Sequence, residues 1–121
     1  MFPKLSLPQI ERLIFNALDT NKAERIVTVD LTGKSDVADR MVVASGTSTR
    51  HVGALAEYVV TALKHAGYDN VPVEGKESCD WVLVDAGDVV VHIFKPETRE
   101  HYNLEKMWSA SHKNTATEIA L

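Results

Sequence analysis

Two apolar runs, Trp81-Val82-Leu83-Val84-Asp85 and Val89-Val90-Val91-His92-Ile93-Phe94, are separated only by Ala86-Gly87-Asp88. β-Branched and aromatic residues dominate both runs, which suits strands. The three residues between them suit a tight turn, with Gly87 supplying a positive φ. Whatever this chain folds into must therefore contain an antiparallel pair here. The hydrophobic period is different upstream. Val52, Leu55, Ala56, Val59, Val60 and Leu63 recur at i, i+3, i+4, i+7, i+8 and i+11, the clearest amphipathic helix in the chain. Thr47 or Ser48 can cap its start, and Gly67 after Ala66 suits a left-handed stop.

The other elements follow from the same two periods. Ser6-Leu7-Pro8-Gln9 predicts a capping box, with a first helix from about Leu7 to Asp19. Glu24 to Leu31 and Arg40 to Ser45 read as neighbouring strands joined by a loop. Val71-Pro72-Val73 reads as a short edge strand, since Pro72 has no N–H to give a ladder. Pro96 opens a last helix, with His101, Leu104, Met107 and Trp108 as its expected buried stripe. The order α-β-β-α-β-β-β-α argues a mixed sheet covered by helices, an α/β or α+β domain. A single domain is expected over residues 1–108, with 109–121 as a flexible C-terminal tail.

Composition narrows the function classes. The chain has 121 residues, 45% hydrophobic and 25% charged, which suits one globular core. Cys79 is the only cysteine, so no intrachain disulfide forms and a reducing compartment is favoured. No apolar run approaches the roughly 20 residues of a membrane-spanning helix, and Met1 to Ser6 does not read as a signal peptide. A cytoplasmic location is expected. The net charge of −4 lacks the basic excess typical of nucleic-acid binders and fits a protein or small-molecule partner better.

Few residues suggest catalysis. Ser45-Gly46-Thr47-Ser48-Thr49-Arg50-His51 stands at a strand-to-helix junction, where free amides can hold phosphate. It matches neither a P-loop nor a dinucleotide fingerprint. A strand followed by Gly-Thr-Ser also suggests nucleotidyl transfer, but that chemistry needs paired carboxylates for magnesium. From Ser48 to Gly67 the only acid is Glu57. Ser48 and His51 lack an inferable third partner, and a nucleophile elbow lacks its second glycine. Cys79, Asp80, Asp85 and His92 match no metal-ligand spacing. No metal, cofactor or enzymatic activity is expected.

The hairpin's first strand is more informative. Strand period places Trp81, Leu83 and Asp85 on one face and Val82 with Val84 on the other. A face carrying both Trp and Asp suits an interface, with Asp80, Asp85 and Asp88 as an acidic rim for a basic partner. It equally suits a Trp packed under a helix beside solvated acids. The residues alone leave both readings open.

A linked series of motifs carries a family resemblance. These are Lys34-Ser35 with Ala38-Asp39, Ser45 to His51, Val73-Glu74-Gly75, Asp80 to Phe94, and Arg99-Glu100-His101-Tyr102-Asn103-Leu104-Glu105-Lys106-Met107-Trp108. In this order the chain resembles the ribosomal silencing factor family, also called Iojap-like, from about Leu7 to Trp108. The resemblance implies a mixed sheet of about five strands between helices, like a nucleotidyltransferase core without its catalytic carboxylates. It implies no enzyme. It implies binding to the large ribosomal subunit through universal ribosomal protein fourteen, which blocks the small subunit and lowers translation when nutrients run short. Large-subunit assembly is the alternative role. Trp81 matches the family's interface tryptophan; Leu83, Asp85 and Asp88 adjoin it by strand geometry, and Tyr102 is expected near the interface. No membrane and no sequence-specific nucleic acid contact is expected, while edge strands and an exposed Trp also allow a homodimer.

Overall fold

The computed structural model describes residues 5–36 and 38–102, the last by its backbone alone. Among these residues eight elements follow the expected order: α1 (Leu7–Thr20), β1 (Glu24–Asp30), β2 (Arg40–Ser45), α2 (Thr49–His65), β3 (Val73–Glu74), β4 (Trp81–Asp85), β5 (Val89–Phe94) and α3 (Pro96–Tyr102). The strands form one mixed sheet in the order β1-β2-β5-β4-β3. Among the described strands only the β2–β5 pair is parallel, because α2 and the β3–β4 segment intervene between them in the chain. The fold class matches the expectation.

Local chemistry sets the helix limits. Ser6 Oγ accepts from the Gln9 amide at 3.3 Å while Gln9 Oε1 accepts from the Ser6 amide at 2.8 Å, a reciprocal capping box. Ser48, not Thr47, caps α2, its Oγ accepting from the His51 amide at 3.1 Å. Gly67, just past α2, takes φ 104°, the left-handed stop that a glycine permits most cheaply.

Helices α1 and α2 lie on one face of the sheet. Ile10, Ile14 and Leu18 of α1 join Val52, Leu55, Val59 and Leu63 of α2 against Val42, Ala44, Val82, Val84, Val91 and Ile93 of the sheet. All of these are buried. The opposite face holds a second cluster of Val29, Leu31, Met41, Val43 and Phe94, with Trp81 packed against it. Arg40 ties α1 to the sheet, its Nε 2.9 Å from Glu11 of α1 and its Nη1 2.9 Å from Asp30 of β1.

Three expectations shift. The edge strand is Val73–Glu74, starting two residues and ending one residue later than expected. Pro72 stays outside it because it has no N–H, although its carbonyl accepts from the Asp85 amide at 2.9 Å. β1 ends at Asp30; Leu31 is buried but donates to the Asp39 carbonyl in the following loop. His101 is exposed rather than buried, and among the described side chains of α3 the buried one is Arg99, which lies on another side of a 3.6-residue turn. Leu104, Met107, Trp108 and the 109–121 segment lie outside the described residues.

Candidate functional site

The register across the hairpin builds the site. Trp81 stands opposite Phe94, Leu83 opposite His92, and Asp85 opposite Val90. All six side chains therefore share the face turned away from α1 and α2. His92 and Phe94 are buried, whereas Trp81, Leu83 and Asp85 are each half-buried. Exposure thus rises from β5 to β4 along a single face. The edge residue Glu74, opposite Leu83, is exposed.

Two neighbouring rings hold Trp81 in place. Its centroid lies 4.9 Å from that of Phe94 and 5.8 Å from that of His92, both at tilted angles favoured by aromatic pairs. The indole Nε1–H donates to His92 Nδ1 at 2.9 Å. That bond requires an unprotonated Nδ1, so His92 is neutral with its proton on Nε2. Burial holds its pKa down at about 4, against an ordinary 6.5. The unfolded chain therefore takes up the proton first as pH falls. Stability is fully present above about pH 6.5 and is lost progressively toward pH 4, by about 3 kcal/mol for this group. Urea denaturation across that range should show the loss, and His92→Asn should flatten its slope. An unchanged slope in the variant would remove His92 as the cause.

Around the ring lies a groove of about 400 Å³, lined by Trp81 with Ser78, Asp80, Glu97, Thr98 and His101. Asp80 Oδ1 is 3.5 Å from Lys95 Nζ. Asp85 and Asp88 stand at the other end of β4 and line a different cleft, of about 340 Å³. Four residue steps of extended chain separate Trp81 from Asp85, about 13 Å. Asp85 Oδ1 accepts from the Gly87 amide at 2.9 Å, closing the hairpin turn. The Asp88 carbonyl accepts from the amides of Asp39 and Arg40. The expected residues thus form a line along one strand and its turn. Tyr102 ends α3, beyond which the described residues stop, and its side chain lies outside them.

Sequence reasoning missed His92 as the partner of Trp81, and Glu97, Thr98 and His101 as walls of the groove. The first was hidden by the turn: three residues between the strands would pair Asp85 with Val89 and Leu83 with Val91, whereas the Ala86 amide donates to the Val89 carbonyl, the turn narrows to Gly87-Asp88, and Leu83 comes opposite His92. The second needed the position of α3. Arg99 was also missed. It is buried and donates to Ser45 Oγ at 2.8 Å, anchoring α3 to the end of β2.

The strand-to-helix junction serves packing. A Cβ on Gly46 would stand 2.9 Å from the Val52 amide nitrogen, so α2 can approach β2 only over a glycine. His51 Nδ1 accepts from the Thr47 amide at 2.9 Å and its Nε2 bonds the Asn21 carbonyl at 3.0 Å, which joins α2 to the end of α1. Glu57 pairs with Lys76 at 2.5 Å. Among the described residues no group of three or more His, Cys, Asp or Glu is placed to hold a metal ion, and no helix is long and apolar enough to cross a membrane.

A family model described as "Ribosomal silencing factor during starvation" matches residues 4–120. The chain belongs to the ribosomal silencing factor family. It is 48% identical over 98 residues to "Ribosomal silencing factor RsfS" of Zymomonas mobilis, covering 80% of this chain and 73% of that one. It is 38% identical over 100 residues to mouse "Mitochondrial assembly of ribosomal large subunit protein 1", covering 80% of this chain but 44% of that protein. A crystal structure of a protein from Chromobacterium violaceum superposes with a TM-score of 0.84 at 39% identity, covering 97% of this chain and 92% of that one. The mixed sheet described above is thus shared with that protein. The likeness to nucleotidyltransferases stays a reading from resemblance.

Proposed function

We propose that this chain is a binding module that docks on the large ribosomal subunit, through universal ribosomal protein fourteen, and keeps the small subunit away. Translation falls as a result when nutrients are scarce. The observation that carries the reading is the half-buried row Trp81, Leu83 and Asp85 on the sheet face that α1 and α2 leave uncovered. A tryptophan held rigidly by neighbouring rings loses little freedom on docking, and Trp is the residue type most enriched in interface hot spots. The acids Asp80, just before β4, Asp85 at its end and Asp88 in the turn suit a basic protein surface. Family membership supports the ribosomal setting.

The mechanism is steric. A specific contact requires about 1,200–2,000 Å² of total buried surface, which a domain of this size can supply from one face. Once seated, its bulk fills space that the other subunit needs, and no bond is made or broken. The protein acts in the cytoplasm in this reading. A second reading, large-subunit assembly, is favoured by the name of the mouse relative. It shares the partner and differs only in whether mature subunits are kept apart.

A subunit-joining assay separates the two. Purified large and small subunits should re-associate less as this chain is added, with inhibition saturating near one copy per large subunit. Undiminished joining at saturating occupancy would leave only the assembly role. Absence of binding to the large subunit would overturn both.

A further inference from the structure

We infer that His92 is a positioning residue for docking: it selects the one orientation of the Trp81 indole that a partner meets. The inference rests on the docking reading above and deepens it. His92 is 1% exposed and stands in register between Val43 of β2 and Leu83 of β4, with the Phe94 ring stacked 6.1 Å away at 11°. Its Nδ1 accepts from the indole, so its Nε2 carries a proton. That second nitrogen is fully buried, and among the described residues no acceptor meets it. A buried donor left unmet costs more than one internal hydrogen bond returns. Such a group calls for a reason other than packing. A leucine of similar volume would fill the same place among apolar side chains and leave nothing unmet. The fold alone thus gives no reason for a histidine here, whereas the indole does.

The torsion that turns an indole joins a tetrahedral carbon to a planar one, and such torsions are broad and roughly two-fold. Contacts with the Phe94 and His92 rings hold the indole close but act largely through dispersion, which has little direction. The N–H is directional where those contacts are not: His92 Nδ1, at 2.9 Å, accepts it in one setting of the ring. A ring fixed before contact loses little freedom on binding, so the free chain already holds its docking form. Turning the N–H inward has a second effect. The rest of an indole is carbon, so the partner surface opposite Trp81 needs no hydrogen-bond acceptor. Half-burial leaves part of that apolar ring within reach.

The test compares His92→Leu with His92→Asn in the full chain near neutral pH, where the histidine is unprotonated. His92→Leu removes the acceptor and the unmet donor together. His92→Asn keeps an oxygen on the same branch as Nδ1 but leaves space unfilled. Deuterium exchange of the Trp81 indole N–H is followed by NMR, the signal assigned by its absence from Trp81→Phe. It should be about tenfold faster or more in His92→Leu and close to the parent rate in His92→Asn. Affinity for purified large subunits should fall about fivefold in His92→Leu, the cost of ordering one free side chain on binding, and about twofold or less in His92→Asn. Urea midpoints should run the other way, with His92→Leu at or above the parent and His92→Asn below it. A residue with only a structural role would make affinity follow the midpoint. If His92→Asn does not fold, exchange and affinity in His92→Leu decide. Parent-strength binding by His92→Leu, an unchanged indole exchange rate in it, or affinities that track the midpoints overturns the positioning role and leaves the docking reading standing. Failure of the parent chain to bind large subunits overturns the docking reading, and the positioning role with it.

Discussion

Trp81→Ala should lower affinity for the large subunit by about thirtyfold or more, the loss of roughly 2 kcal/mol or more that follows truncation of a central interface tryptophan. The same change also disturbs the fold. It removes the ring that packs on Phe94 and His92, and it leaves His92 Nδ1 without its indole donor. A half-buried aromatic of this kind contributes less than a core one, so a stability loss of about 2 kcal/mol is expected. Binding must therefore be compared at a temperature where both chains remain folded by circular dichroism. Trp81→Phe separates the two effects. It keeps a ring against Phe94 but has no Nε1–H and a smaller face to offer. Leu83→Asp adds a charge to the half-buried row without touching the indole. Both should weaken docking while preserving the fold better than alanine does. A Trp81→Ala chain that still binds with near-parent affinity would remove the residue from the interface, and the row with it.

The largest effect on the fold itself should come from Gly75→Ala. Gly75 has φ 90°, and an added Cβ would lie 2.2 Å from the carbonyl oxygen of Trp81 and 3.3 Å from Val82 Cα. Backbone, unlike a flexible side-chain tip, cannot swing aside. The turn that carries Cys79, whose amide donates to the Gly75 carbonyl at 3.0 Å, would have to separate from β4. A loss of about 3 kcal/mol or more is expected, lowering Tm by about 10 °C. Gly33→Ala supplies the internal comparison. It has φ 78°, yet nothing stands within 4 Å of where an added Cβ would lie. Its cost should be limited to about 1–2 kcal/mol of left-handed strain. Equal losses for the two variants, measured by thermal denaturation, would show that strain alone matters and that the Trp81 carbonyl is not crowded. Because that carbonyl belongs to the candidate docking strand, Gly75→Ala should also shift tryptophan fluorescence, whereas Gly33→Ala should not.

Much of this architecture could be read from local pattern. β-Branched runs and the 3.6-residue stripe of α2 marked the elements because each period is a property of backbone geometry. The capping box at Ser6 and the stop at Gly67 involve residues only a few positions apart. The common face of Trp81, Leu83 and Asp85 was legible for the same reason, since alternation needs no knowledge of neighbours. Residues whose roles depend on distant chain were read less well. Ser48 and His51 offered no inferable third partner, which left the role of His51 open; its ring bonds the carbonyl of Asn21 at the end of another helix. Arg99 stood out only as part of a family motif, but Ser45, far back in the sequence, receives its guanidinium in the interior. His101 was assigned to a buried stripe by spacing that continued past the described end of α3.

By itself, then, the order of residues determined which segments are strands or helices and which side chains of β4 share a face, because both follow from bonds between near neighbours. Only the tertiary structure decided which face of the sheet α1 and α2 would cover, and so left Trp81 half-buried against His92 and Phe94 rather than beneath either helix. It also decided that Lys22, His51 and Tyr58 line one cleft at the end of the sheet where the tryptophan stands. Those outcomes depend on packing between segments remote in the chain, where shape and burial, not local propensity, choose the arrangement of lowest free energy.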